Sequence, residues 1–307
     1  MPDTRTTDRV NPVSAGVEPD ANMEQRLVAW LAARSRVTAI TGAGVSTESG
    51  IPDYRDGDGN WKRSPPVQYR DFVGSEAVRK RYWARSFAGW PMFAAARPSA
   101  AHVALARLEQ TGRIAQIVTQ NVDRLHQRAG SRNVIDLHGR LDVVRCLAQD
   151  HRFDRDAFQQ RLREANPGWD AAAARIAPDG DAELEGIDFG VFNVPACEVC
   201  GGMLKPDVVF YGESVPRETT AAALAAVESA DGVLVAGSSL MVWSSFRLVR
   251  AAHARGVEVV AVNRGRTRGD ELFAFKLDRE CGEVLMAVLQ HPHPPAPAAR
   301  PPSFGSG

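Results

Sequence analysis

Four short apolar runs, each closing on small or polar residues, constrain what this chain can fold into more than any other feature. Arg36-Val-Thr-Ala-Ile-Thr41 runs straight into Gly42-Ala43-Gly44, and Ile114-Ala-Gln-Ile-Val-Thr119 ends at Gln120-Asn121. Gly232-Val-Leu-Val-Ala236 ends at Gly237-Ser238-Ser239, and Val257-Glu-Val-Val-Ala-Val262 ends at Asn263-Arg264. Helical patterns separate them, the first over Met23 to Ser35. Short β-rich runs alternating with helices predict an α/β fold, a parallel, doubly wound, Rossmann-like sheet. In such a sheet a ligand sits beyond the carboxyl ends of the strands, so the four polar loops predict one shared crevice. Between about Arg145 and Pro206 the alternation stops. There Cys146, Cys197 and Cys200 bracket a helical run from Arg155 to Ala165 and an Ala-rich segment from Ala171 to Ala174. This stretch, about residues 140–206, is expected to be a smaller inserted domain clipped by a metal.

The ends and the charge balance narrow the setting. Residues 1–22 are polar and the tail from His291 to Gly307 is rich in Pro and Ala, so both are expected to be disordered, leaving residues 23–290 as the folded domain. No apolar run approaches the roughly 20 residues needed to span a bilayer, and the head lacks the apolar stretch of a secretory signal. A cytoplasmic protein is expected, with no membrane partner. Lys+Arg and Asp+Glu both total 37, so no net field draws the chain to nucleic acid. Four cysteines without a sign of secretion read as metal ligands or buried thiols rather than as a disulfide framework.

The strand-to-turn string Thr41-Gly-Ala-Gly-Val-Ser46 lets backbone N–H groups approach an anion, because glycine presents no side chain. A dinucleotide pyrophosphate would fit, although a plain structural turn explains three residues equally well. Imidazole is the natural base at neutral pH. His138 follows the β-like run Val134-Ile-Asp-Leu137 and precedes Gly139, which places it at an exposed strand end, whereas His126 reads as a packing or capping residue. Gln120, Asn121 and Asp123 offer amide and carboxylate groups after the second strand, and Asn121 and Asp123 also suit a helix N-cap.

The full string from Gly42 to Arg55 closely resembles the signature of the sirtuins, and the resemblance recurs in order at Thr119-Gln-Asn-Val-Asp123, His138-Gly139, Cys197-Glu-Val-Cys200, Lys205-Pro-Asp-Val-Val-Phe210, Gly237-Ser-Ser239 and Val262-Asn263. It covers residues 24 to 290 and is most similar to the class II branch. The resemblance implies an NAD-dependent protein deacylase: the acyl-lysine oxygen attacks the nicotinamide ribose, an alkylimidate forms, and His138 then takes a proton from a ribose hydroxyl. The products implied are free lysine, nicotinamide and O-acyl-ADP-ribose. It further implies that Asn121 orders the attacked ribose, that Asp123 holds the nicotinamide amide, and that Arg55 lies near the departing nicotinamide with Asp53 fixing the loop. Gly42, Ala43, Gly44, Ser46, Thr47 and Tyr54 would complete the NAD loop. Gly237, Ser238, Ser239 and Asn263 would serve the adenosine half, and Cys281 would lie near the adenine without acting as a nucleophile.

Three further expectations follow from the same resemblance. Sirtuins carry two Cys-x-x-Cys pairs around a structural zinc; here Cys197 and Cys200 keep the spacing, but Gln149 stands where the partner of Cys146 is expected. A site of Cys146, Cys197 and Cys200 completed by Asp150 or His151, one completed by water, and a degraded site compete. An acyl-lysine peptide would lie extended along Val208-Val-Phe-Tyr211 and Gly237-Ser-Ser-Leu-Met-Val242 as an added strand. In the acyl pocket, with Val208 and Phe210, Tyr82 and Arg85 stand one helical turn apart and would grip an acidic acyl group; packing of Tyr82 and a surface ion pair of Arg85 is the bland alternative. Acyl-lysine proteins are the expected partners of a monomer. Protein mono-ADP-ribosyl transfer and non-catalytic NAD or ADP-ribose sensing are the competing functions.

Overall fold

All five residues of β1 (Val37–Thr41) are buried, a pattern that only a central strand covered on both faces allows. The computed structural model describes residues 20–291 apart from residues 55, 57, 59, 63–65, 170–174, 177–181 and 184–187. In chain order the helices are α1 (Asp20–Ala32), α2 (Tyr69–Gly74), α3 (Glu76–Ala95), α4 (Ala100–Gln110), α5 (Leu125–Arg128), α6 (Arg155–Ala165), α7 (Arg217–Glu228), α8 (Trp243–Ala254) and α9 (Cys281–Gln290). The strands after β1 are β2 (Ile114–Thr119), β3 (Val134–Asp136), β4 (Gly139–Cys146), β5 (Arg152–Asp154), β6 (Arg175–Ile176), β7 (Ala182–Glu183), β8 (Leu204–Val208), β9 (Gly232–Ala236), β10 (Val259–Val262) and β11 (Phe275–Leu277).

The main sheet has the order β11-β10-β9-β1-β2-β3 with every neighbouring pair parallel. Alternate side chains feed two cores. Val37 and Ala39 of β1 pack with Leu234 of β9 against α1, α4 and α9, while Ile40 packs with Val233 and Val235 against α7 and α8. The sheet is therefore doubly wound. Chain order runs outward from β1 in one direction through β2 and β3, and from β9 in the other, so the switch point lies between β1 and β9.

A second, antiparallel sheet of order β5-β4-β8 forms the smaller module with α6. Its core is not confined to the Cys-bracketed stretch. Phe72 of α2 and Tyr82, Trp83 and Phe87 of α3 pack with Leu141, Phe158, Leu162 and Phe192, so two separated stretches of chain build it. Asp154 caps α6 by accepting from the backbone N–H of Asp156 and Ala157 at 2.8 and 3.0 Å. Two boundaries differ from the sequence reading: α1 starts at Asp20, inside the expected disordered head, and β10 starts at Val259. The expected Ala-rich segment and the rest of both termini lie outside the described residues. Among the described residues no helix is long and apolar enough to cross a membrane.

Candidate active site and metal cluster

The loops after β1, β2, β9 and β10 meet around one cavity of about 980 Å³, which the smaller module closes with Leu141, Val208 and Phe210. The turns after β1 and β9 interlock. Gly44 N–H donates to the Gly237 carbonyl at 2.8 Å, and a Cβ on Gly44 would sit 2.8 Å from the Gly237 Cα. Gly237 has φ +60, and a Cβ there would lie 2.5 Å from the Val45 nitrogen, so both positions require glycine. Gly139 beside His138 has the same need: φ is +80 and a Cβ would meet the Asp207 carbonyl oxygen at 2.1 Å, where β4 pairs with β8.

His138 is half-buried and lines the cavity rather than standing exposed at a strand end. Its Nδ1 lies 3.1 Å from the Gln120 carbonyl oxygen and its Nε2 lies 2.7 Å from Ser244 Oγ. A carbonyl can only accept, so Nδ1 carries the ring proton and Nε2 bears the lone pair. Burial lowers the pKa to about 4, partly offset by the Gln120 carbonyl, and the ring is neutral at pH 7. Gln120 is fixed on all sides: Nε2 donates to Ser238 Oγ at 2.7 Å and to the Thr41 carbonyl at 3.2 Å, and Oε1 accepts from Ser245 Oγ at 2.9 Å.

Asn121 Nδ2 donates to the Gly42 carbonyl at 3.0 Å and to Ser46 Oγ at 2.9 Å, so its side chain ties two cavity loops and caps no helix. Ser46 Oγ in turn donates to Asp123 Oδ2 at 2.7 Å, and Asp123 Oδ1 accepts from the Leu125 N–H at 2.9 Å, which holds the first turn of α5. Desolvation raises the Asp123 pKa against these hydrogen bonds. Arg124 between them has φ +63 and is ion-paired to Asp136, a strained backbone fixed beside the cavity. His126 points away from the cavity. Its Nε2 lies 2.8 Å from Thr41 Oγ1, and its ring stands 4.7 Å from that of buried His102, the packing role expected for it.

Of the remaining expected NAD residues, Ala43, Thr47, Asp53, Tyr54, Ser239 and Asn263 all line the cavity. Thr47 Oγ1 donates to the Gly44 carbonyl at 3.0 Å, Lys62 pairs with Asp53 at 2.5 Å, and Asn263 Nδ2 donates to the Arg264 carbonyl at 2.9 Å. Arg55 lies outside the described residues. Cys281 borders the cavity at the start of α9; its Sγ donates to the Val262 carbonyl at 3.1 Å, and burial pushes the thiol up to about 12, which rules out a thiolate nucleophile at neutral pH. A cavity of this volume at the switch point, floored by two glycine turns and flanked by hydroxyls and amides, fits a dinucleotide.

Tyr82 also lines the cavity, 2% exposed and packed edge-on to Phe72 and Trp83, with Phe210 tilted across it. Arg85 is not among the lining residues, so the structure does not bring the expected Tyr–Arg pair together on the cavity. Residues that sequence reasoning missed are Ser244 and Ser245, which open α8 and reach His138 and Gln120; a Ser-Ser pair at a helix start reads as a cap, and no local signal marks the long-range contact.

The metal question has an answer in donor chemistry. Cys146 Sγ, His151 Nδ1, Cys197 Sγ and Cys200 Sγ all lie within 4.8 Å of one another, with Cys146 to Cys200 at 3.5 Å and Cys197 to His151 at 3.4 Å. Three thiolates and an imidazole are a closed zinc set. Asp150, the other candidate fourth ligand, instead pairs with Arg145 at 2.5 Å and with Arg152 at 3.6 Å. None of the four metal-type residues lines the cavity, so zinc here would staple the smaller module and open no position to substrate.

A doubly wound sheet with its crevice at the switch point, closed over by a smaller module carrying a three-thiolate, one-imidazole cluster, defines a class of NAD-site α/β proteins. The Sir2 family model matches residues 42–244. The chain is 57% identical over 265 residues to an NAD-dependent protein deacetylase of Bordetella bronchiseptica, covering 86% of this chain and 97% of that one. It is 49% identical over 264 residues to the NAD-dependent protein deacylase Sirt4 of Drosophila melanogaster, covering 85% of each. Its backbone resembles that of a solved Sir2–p53 peptide–NAD+ complex with a TM-score of 0.72 at 29% identity, over 87% of this chain and 97% of that one. The chain belongs to the Sir2 family.

Proposed function

We propose that this protein is an NAD-dependent protein-lysine deacylase that moves the acyl group of an acyl-lysine side chain onto ADP-ribose, releasing nicotinamide, with His138 as the base. The observation that carries the reading is the single cavity in which a neutral imidazole, with its lone pair on Nε2, shares a lining with Asn121, Asp123 and the two glycine turns. NAD is the co-substrate. The turns after β1 and β9 would take its pyrophosphate, Ser238, Ser239, Asn263 and Cys281 its adenosine half, and Ser46, Asp53, Tyr54, Asn121 and Asp123 its nicotinamide ribose. The relatives' names, deacetylase and deacylase, support the same chemistry.

The neutral His138 accepts a proton from a ribose hydroxyl, and that oxygen then bonds to the acyl carbon. Asn121 holds the ribose against Ser46 and Gly42. A bound peptide would border Val209 to Gly212 and Met241 to Val242, segments that share the cavity. Of the Tyr82–Arg85 pair expected to favour acidic acyl groups, Tyr82 lines the cavity and Arg85, one helical turn on, does not. The wall around Tyr82 is formed by Ile51, Val67, Leu141, Val208 and Phe210, and this apolar surface supports aliphatic acyl chains. A monomeric state and a cytoplasmic address belong to the same proposal; light scattering and fractionation check them.

The test is a panel of acetyl-, succinyl-, methylglutaryl-, lipoyl- and long-chain-acyl-lysine peptides incubated with NAD, with products read by mass spectrometry. Aliphatic acyl peptides should yield O-acyl-ADP-ribose faster than their acidic counterparts. Transfer of ADP-ribose to protein with no deacylated peptide would replace the reading with mono-ADP-ribosylation, and binding of NAD without turnover would replace it with sensing.

A further inference from the structure

Ser244 is the second residue of α8, half-buried, and it lines the cavity beside His138. Its Oγ lies 2.7 Å from His138 Nε2. The Gln120 carbonyl at 3.1 Å fixes the ring proton on Nδ1, so the Nε2 lone pair must receive its hydrogen bond, and the Ser244 hydroxyl donates it. With its single proton committed to Nε2, Oγ keeps its lone pairs for an incoming donor. The geometry is held rigidly. Ser245 donates to Gln120 Oε1 at 2.9 Å and to the Val242 carbonyl at 3.0 Å, so the turn that carries Ser244 is pinned to the same glutamine whose carbonyl orients His138. Ser244 also stands in the first turn of a twelve-residue helix, where free N–H groups favour developing negative charge on an oxygen.

We propose that Ser244 is a proton relay in the acyl-transfer step, standing between the ribose hydroxyl of the co-substrate and His138. The inference rests on the deacylase reading above. In the relayed step the ribose O–H bond breaks as its oxygen bonds to the acyl carbon, and the electron pair of that carbon's double bond to nitrogen moves onto the nitrogen. The ribose proton goes to Ser244 Oγ while the Ser244 proton goes to His138 Nε2. Serine ends as it began, and the imidazole ends protonated. Because the relay acts after nicotinamide has left, it has no part in the earlier displacement at the ribose.

That division supplies the test. Ser244→Ala and Ser244→Thr are made in the full chain, folding and NAD affinity are verified, and two rates are measured with an acyl-lysine peptide: exchange of labelled nicotinamide into NAD, and formation of O-acyl-ADP-ribose. Ser244→Ala should keep the exchange rate and lose about tenfold or more in product formation, with Ser244→Thr restoring most of it. The product-forming rate in mixtures of light and heavy water should curve for the wild type, as two protons in flight require, and become linear for Ser244→Ala. Product formation by Ser244→Ala at the wild-type rate would overturn the relay, and so would a parallel loss of exchange and product, which marks a structural role. A wild type that neither exchanges nicotinamide nor forms O-acyl-ADP-ribose would remove the deacylase reading itself, and the relay with it.

Discussion

His138 sits where desolvation decides its protonation: burial brings its pKa to about 4, well below the usual 6.5, so the ring is a ready proton acceptor at neutral pH. The acid limb of kcat/KM against pH should therefore fall well below pH 6.5, toward pH 4; a midpoint at 6.5 or above would show an imidazole that water still reaches. Replacing the ring, His138→Ala, should cost about 10²–10⁴-fold in product formation while NAD still binds. Arg85 is half-buried and is not among the residues that line the cavity, so Arg85→Met should leave the ratio of succinyl to acetyl turnover within about twofold. A collapse of succinyl turnover alone would bring Arg85 back into the pocket. Ser46 is the least conspicuous of the linkers here, since one hydroxyl joins Asn121 to Asp123 at 2.9 and 2.7 Å.

Elements of the main sheet were legible because strands covered on both faces read as short, mostly apolar runs rich in β-branched residues. β2 and β9 coincide with the sequence reading, as does α6 from Arg155 to Ala165. Strands of the smaller module were not legible. β8 reads Leu-Lys-Pro-Asp-Val, a string whose charges suggest a surface loop, yet Lys205 is 2% exposed and paired with Glu213 at 3.1 Å. In the main sheet the exception is β11, which has only three residues, too few for a period. That α2 and α3 complete this module depends on packing across distant sequence, for which local pattern has no signal. The same holds for the cluster: spacing left Asp150 and His151 equal, and only folding turns one to the thiols and the other to arginines. His151→Ala should accordingly weaken metal affinity by about tenfold or more and lower the melting temperature, whereas Asp150→Ala should retain metal, both read by elemental analysis and thermal unfolding. Equal metal loss in the two variants would contradict the assignment. Gly202 belongs to the same unit, since a Cβ there would come within 2.8 Å of Cys146 Sγ.

At the scale of the molecule, the fold holds three histidines neutral, His102 and His126 in the interior and His138 on the cavity wall. His102 is lowered to about 4 by burial, His126 is driven well below its usual value by burial and by His102, and His138 is lowered to about 4. A histidine whose folded pKa is depressed stays unprotonated while the unfolded chain takes up protons, so its stability is fully present above the unfolded pKa and is lost as pH falls toward the folded one. Between pH 6.5 and about 4 the protein should therefore lose on the order of 3 kcal/mol through His102, which is fully buried, and less through His138, which borders the cavity, visible as a falling urea midpoint. Stability that stayed flat across that window would mean the histidines are solvated. The cavity depends on both units, since its floor comes from the loops of the main sheet and Leu141, Val208 and Phe210 of its apolar wall come from the smaller module.

The most direct test of the central claim is a stoichiometric one: a single turnover with NAD and an acyl-lysine peptide, with nicotinamide, free-lysine peptide and O-acyl-ADP-ribose counted by mass spectrometry for wild type and His138→Ala. Equal amounts of all three products from the wild type, and loss of the last two with His138→Ala, are what the account predicts. Free-lysine peptide formed without nicotinamide, or formed undiminished by His138→Ala, would contradict it.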